Sequence, residues 1–276
     1  MRYLLYLLIC FTYSGYAQSN FWKIEKGGKT KGYILGTIHL ADAQLEGVYS
    51  SVEKGLGKAD VLAMELDLSV INPAELLGLI RSDSVSLKAL IGEQFGEVSE
   101  KFKAITGMDL GMFENHYPFF VVGYLYKAMG KQNTGEPMDL RIMKMAEGKT
   151  VVGLETLTEQ LAVVKGVPLE YQTDILVQSV VNFEEHKKDH QKMMDLYLKG
   201  EMDALRELSL DPVLPEEIKW SFLENRDEKM VGKISDMLAK KKKIFVAVGA
   251  GHLGGEKGIL KGLTKQGFSV TPVSNE

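Results

Sequence analysis

The sequence predicts an α/β (α+β) fold in which a mixed sheet is assembled from distant segments and surrounded by helices. Three features predict it. Six short β-rich runs occur, at Phe21–Glu25, Lys31–Ile38, Val61–Leu66, Thr150–Gly153, Lys243–Val248 and Phe268–Val273. Long helical patterns separate them, so strands stand at both ends of the chain with helices between. Two pairs of strand-end motifs also echo each other along the sequence.

The first seventeen residues are read apart from this fold. Met1-Arg2, the apolar run Tyr3–Phe11 and the small residues Gly15 and Ala17 around Tyr16 follow the order of a secretory signal peptide cut after Ala17. The apolar run is too short to span a bilayer. Residues 18–276 are then expected to form a single periplasmic or secreted domain. Cys10, the only cysteine, lies inside the apolar run behind bulky Ile9, which argues against lipid attachment there. A mature chain without cysteine has no disulfide, no thiol nucleophile and no thiolate ligand.

The helical patterns follow in order. Leu87, Leu90, Ile91, Phe95, Val98 and Phe102 recur close to the 3.6-residue period and predict a helix over 87–105. Pro118–Met129 reads as a helix with proline in its first turn. Leu169–Leu198 and Pro215–Lys241 predict longer helices, the first heavily charged on one face. Residues 70–145 are expected to be a central helical insertion. Of the 276 residues 45% are hydrophobic and 25% charged, enough apolar surface for a core. Lys plus Arg is 33 against 37 Asp plus Glu, so the chain lacks the basic excess that binding a phosphate backbone needs, and nucleic acid is excluded as a partner.

The echoed motifs carry the chemistry. Tyr33 to Leu40 and Val246 to Leu253 each read as an apolar strand followed by Gly-x-x-His-Leu, ending in His39 and His252. Val61 to Leu66 and Val151 to Thr156 each read as an apolar strand delivering one carboxylate, Glu65 and Glu155. The order His, Glu, Glu, His predicts two halves related by a pseudo-twofold, with four strand ends converging on one place. The glycine three residues before each histidine is expected to let the chain leave its strand through a tight or left-handed turn. Two imidazoles with one or two carboxylates suit a divalent transition metal. His39 and His252 are the candidate ligands. Glu65 is a third ligand or a general base, and Glu155 takes the other role or orients a histidine.

Other constellations carry less. His186 and His190 are four apart, a spacing that can bind zinc, but Lys187 stands where a zincin has glutamate, and the pair reads as a solvated helix face. His116 reads as a helix-entry residue, and Lys240 to Lys243 as a helix terminus. No glycine-rich phosphate loop and no nucleophile-elbow motif occurs.

These residues resemble the TraB/PrgY/GumN family, whose animal members are the TIKI proteases, over nearly the whole mature chain. The resemblance rests on Gly36-Thr37-Ile38-His39, on Ala63-Met64-Glu65-Leu66, on Asp139-Leu140 through Gly153-Leu154-Glu155-Thr156 with Gln160, and on Gly249-Ala250-Gly251-His252-Leu253. It implies an erythromycin-esterase/ChaN-like fold and cleavage of a peptide or protein substrate, dependent on a divalent ion such as Mn, Co or Zn. It also implies a role for Arg226 in binding a substrate carboxylate or the oxyanion. Where the family often carries Arg-Asn, this chain has Arg226-Asp227. Two other readings fit the same residues: a non-catalytic binder of metal, haem or peptide, and a metal-independent esterase using His39 or His252 as general base.

Overall fold

The computed structural model describes residues 19–39, 42–129, 136–210, 215–240 and 242–273. Cys10 and the expected cleavage point after Ala17 lie outside the described residues. Among those described, no helix is long and apolar enough to cross a membrane.

Six strands form one sheet: β1 (Phe21–Lys26), β2 (Lys29–Thr37), β3 (Val61–Met64), β4 (Thr150–Gly153), β5 (Ile244–Gly249) and β6 (Ser269–Pro272). Their order is β4-β3-β5-β2-β1-β6. The first four in this order run parallel, while β1 lies antiparallel to both β2 and β6. The sheet is therefore mixed, as the sequence predicts, and each β-rich run supplies one strand. Gly27 and Gly28, at φ of 60° and 70°, make the two-residue turn of the β1–β2 hairpin. Apart from the exposed first residues Lys29 and Thr150, parallel β2, β3, β4 and β5 are buried or half-buried, as expected of strands covered on both faces.

The pseudo-twofold is not present in the sheet. The strands that echo each other in sequence, β2 with β5 and β3 with β4, are parallel next neighbours. A twofold between β3 and β5 would exchange β3 with β5 and β4 with β2, which are not the echoing pairs. The repeat is instead a side-by-side placement of like strands, with all four C-terminal ends on one edge.

Between β3 and β4 lies the helical insertion, with helices at Pro73–Ile80, Leu87–Ile91, Phe95–Thr106, Pro118–Met129 and Met138–Met145. Leu87, Val98, Phe102, Leu110, Phe113, Val121 and Leu125 pack there with Leu176 and Val180 into a core separate from that of the sheet. The periodicity over 87–105 resolves into two helices because Gly92, at φ 67°, ends the first and a short 3₁₀ turn joins the second. Likewise the expected 169–198 helix breaks at Asn182 into Leu169–Val181 and Phe183–Lys199. Within it His190 is buried against Tyr126, its pKa lowered by burial, so the solvated face expected for the His186/His190 pair does not extend to His190.

The last long helix is continuous from Glu216 to Ala239 but widens into a π-turn at Trp220–Glu224, two residues before Arg226. Such turns re-aim the side chains that follow, and they recur at functional sites.

Candidate functional site

Four parallel strand ends deliver the four residues picked out by the sequence. His39 follows β2 by two residues, Glu65 follows β3 directly, Glu155 follows β4 by two, and His252 ends the short turn after β5. Along the sheet edge they stand in the order Glu155, Glu65, His252, His39. The convergence is thus dictated by strand order and parallel register.

The two carboxylates are neighbours because the β3–β4 pairing continues past both strands. Leu154 N donates to Met64 O at 2.7 Å and Glu155 N to Glu65 O at 2.8 Å. Arg226 joins their side chains. Its Nη2 donates to Glu65 Oε2 at 2.7 Å and to Glu155 Oε2 at 2.6 Å, while Nε donates to Glu155 Oε1 at 2.8 Å. Gln160, in the first turns of the helix capped by Thr156, donates to the same two oxygens at 3.0 and 3.1 Å. Arg226 is therefore a clamp between two glutamates, and three of its hydrogen bonds are already spent on them. Burial pushes the Arg226 pKa down, but the paired carboxylates overcome this and hold it above its usual value.

Glu65 is the hub. Its Oε1 accepts from Gly249 N at 2.6 Å and lies 3.9 Å from His252 Nε2. Burial alone would raise its pKa; the positive charge of His252, His39 and Arg226, with the Gly249 N–H, instead holds it down to about 2. A carboxylate so weakly basic suits a permanent negative charge or a ligand better than a general base.

Each histidine is anchored at Nδ1 by an aspartate. His39 Nδ1 lies 2.6 Å from Asp139 Oδ2, and Asp139 Oδ1 accepts from Thr37 Oγ1 at 3.0 Å. His252 Nδ1 lies 2.6 Å from Asp227 Oδ1, and Asp227 Oδ2 accepts from Arg206 Nη1 at 2.6 Å. A carboxylate has no proton to give, so each Nδ1 donates and each Nε2 is left for the site. The His39 side chain is 69% exposed, and its hydrogen bond to Asp139 raises its pKa to about 9. His252 is buried at 5% exposure.

The glycines of the two Gly-x-x-His motifs serve close approach. Neither Gly36 nor Gly249 has positive φ, so of the tight or left-handed turn expected from the sequence the left-handed form does not occur, and the chain leaves β5 through a tight 3₁₀ turn at Ala250–His252. A Cβ on Gly36 would stand 2.9 Å from Leu253 Cδ1 and 3.2 Å from Ala250 Cα, which shows the two motifs packed on each other. On Gly249 it would lie 3.0 Å from Glu65 Oε1, 3.6 Å from His252 Cδ2 and 3.8 Å from His39 Nε2. The space that Gly249 leaves open is where both histidines and Glu65 meet. Gly249→Ala should therefore keep the fold at a cost of about 1–3 kcal/mol, yet block the site. Circular dichroism with cobalt titration checks this, and undiminished cobalt binding would contradict it.

The donor set fits a divalent cation in its chemistry: two imidazole Nε2 atoms, each with Nδ1 tied to a carboxylate, beside an ionised glutamate. Among the described residues no group of three or more His, Cys, Asp and Glu side chains is already arranged to hold a metal ion. Ligation by all three would require side-chain movement.

Asp139, Asp227 and Arg206 form the hydrogen-bonded surroundings of the two histidines, and residue patterns did not single them out for these contacts. The Asp139–His39 contact spans 100 residues and the Asp227–His252 contact 25, so no local spacing announces either. The available signals are Asp139, which opens one of the segments that carry the family resemblance, and Asp227, the acidic residue directly after Arg226.

Comparison with known proteins adds the family. The TraB/PrgY/gumN family profile matches residues 20–272, nearly the whole chain. No curated protein and no solved structure is matched.

Proposed function

The chain belongs to the TraB/PrgY/gumN family, and on that premise we propose that it is an exported hydrolase acting on a peptide or protein substrate at a divalent-cation centre. The supporting observation is the arrangement at one sheet edge: two aspartate-anchored histidines facing an arginine-clamped glutamate. His39, His252 and Glu65 would hold the cation, one of Mn, Co or Zn. When bound, it supplies Lewis acidity that polarises a carbonyl and acidifies water.

The protein's own groups do the rest. Asp139 and Asp227, each tied to Nδ1, orient the two rings so that both Nε2 atoms face the site. Arg226 and Gln160 hold Glu65 and Glu155 in place through their Oε2 atoms, which leaves Glu65 Oε1 on the side of His252. Glu155, bound to the same clamp, sets the position of Glu65. The signal-peptide pattern read from residues 1–17 supports export to the periplasm or outside the cell.

A second reading is favoured by the raised pKa of His39. In it no metal takes part: His252, oriented by Asp227, draws a proton from water, and His39, protonated beside Asp139, donates one to the leaving group.

The test is cleavage of a mixed fluorogenic peptide library by the mature protein, its His39→Ala and His252→Ala variants, and the chelated wild type. Each variant should lose more than about 100-fold in activity, and chelation should abolish it. Activity that survives complete chelation selects the metal-free reading. Full activity in both alanine variants would overturn both readings.

A further inference from the structure

We propose that Arg206 makes aspartate obligatory at position 227: by taking one acceptor oxygen of Asp227 it leaves only a carboxylate able to hold His252 as the Nδ1–H tautomer, with the Nε2 lone pair facing the site. The inference rests on the use of His252 Nε2, which both readings above share.

All three side chains are buried, Asp227 at 0%, His252 at 5% and Arg206 at 7% exposure. Arg206 Nη1 donates to Asp227 Oδ2 at 2.6 Å and to Gly251 O at 3.1 Å, so the guanidinium is tied to the residue preceding His252. A guanidinium only donates. Whatever occupies position 227 must therefore turn an acceptor towards it. Aspartate has two acceptor oxygens and satisfies Arg206 with one and His252 Nδ1–H with the other.

Asparagine has only one. In Asp227→Asn the charge-assisted bond to a fixed guanidinium takes that oxygen, and the amide NH₂ is left facing Nδ1. Nδ1 must then accept, the ring proton moves to Nε2, and the lone pair leaves the reacting face. Position 139 behaves differently. Its second oxygen accepts from the Thr37 hydroxyl, which can equally well accept. In Asp139→Asn the hydroxyl turns round, and the amide oxygen remains available to His39 Nδ1–H. Two aspartates with the same contact to a histidine thus differ in what they tolerate, because one faces a group that only donates.

The test is nitrogen-15 NMR of the histidine rings in the metal-free mature protein, at a pH where the His252 ring is neutral. The wild type and Arg206→Met should both show His252 protonated at Nδ1. Asp227→Asn should show it protonated at Nε2, and the double variant Arg206→Met/Asp227→Asn should return it to Nδ1. Peptide cleavage should fall more than about 100-fold in Asp227→Asn and recover at least about tenfold in the double variant. Unchanged His39 signals report that each variant is folded. An Nδ1 proton retained in Asp227→Asn, or an Nε2 proton retained in the double variant, overturns the assignment. Should Asp227→Asn not fold, the wild-type spectrum decides, since an Nε2 proton on His252 there is incompatible with it. A tautomer that switches as expected in a protein that cleaves nothing would leave this inference standing and remove the hydrolase reading.

Discussion

Arg226→Ala should be among the most damaging single substitutions in the chain, lowering stability by about 3–5 kcal/mol. Glu65 and Glu155 are largely buried, with side-chain exposures of 11% and 7%, and Arg226 is the cation that pairs with both. Removing it leaves two ionised carboxylates side by side, with only Gln160 to bridge them. Arg226→Lys should recover part of the loss but not all, because a single ammonium cannot reproduce the forked contact to Glu155 while also reaching Glu65. Urea denaturation of the three proteins measures the effect. The deficit of the alanine variant should shrink as pH falls, since protonating one glutamate relieves the repulsion. A deficit under about 1 kcal/mol, or one independent of pH, would mean that the clamp is solvent-screened and structurally idle.

The wild type should lose stability steeply in acid, and Glu65 is the reason. Its folded pKa of about 2 lies below the 4.5 of an unperturbed glutamate. A depressed folded pKa means that the unfolded chain binds the proton first. The stabilisation is therefore complete above pH 4.5 and is lost as pH falls from there towards 2, a contribution on the order of 3 kcal/mol. Glu65→Gln, which cannot titrate, should lack this component: it is less stable than wild type at neutral pH, and its stability curve is flatter between pH 4.5 and 2. Unfolding free energies measured across that window decide the matter, and parallel curves for the two proteins would contradict it.

Much of this architecture is legible in the sequence because strands and strand-end motifs are local. Each β-rich run marks a strand, and the parallel strands read as continuous apolar runs because they are covered on both faces. Gly-x-x-His following an apolar run places a histidine beyond a strand end, and two such motifs suffice to anticipate His39 and His252 on one edge. What escapes is non-local. The sheet order puts like strands next to each other, which no repeat in the sequence distinguishes from a twofold. Asp139 reaches His39 from the far side of a helical insertion, and Arg206 reaches Asp227 from a separate helix. Helix breaks at Gly92 and Asn182 lie inside unbroken apolar periodicity, because a buried stripe continues across a change of axis. The two motif glycines are visible in the sequence, but their reason, close contact between the motifs, belongs to the packed state.

The most direct test of the proposed hydrolase centre measures metal occupancy and peptide cleavage on one preparation of the protein from residue 18 onward, chelated and then titrated with Mn, Co or Zn. Cleavage that rises in proportion to occupancy and saturates at one ion per chain is the expected result, with both signals absent in His39→Ala and His252→Ala. Occupancy without cleavage would contradict the hydrolase and leave a metal-binding protein. Cleavage independent of occupancy would remove the metal and leave the two histidines to carry the chemistry alone.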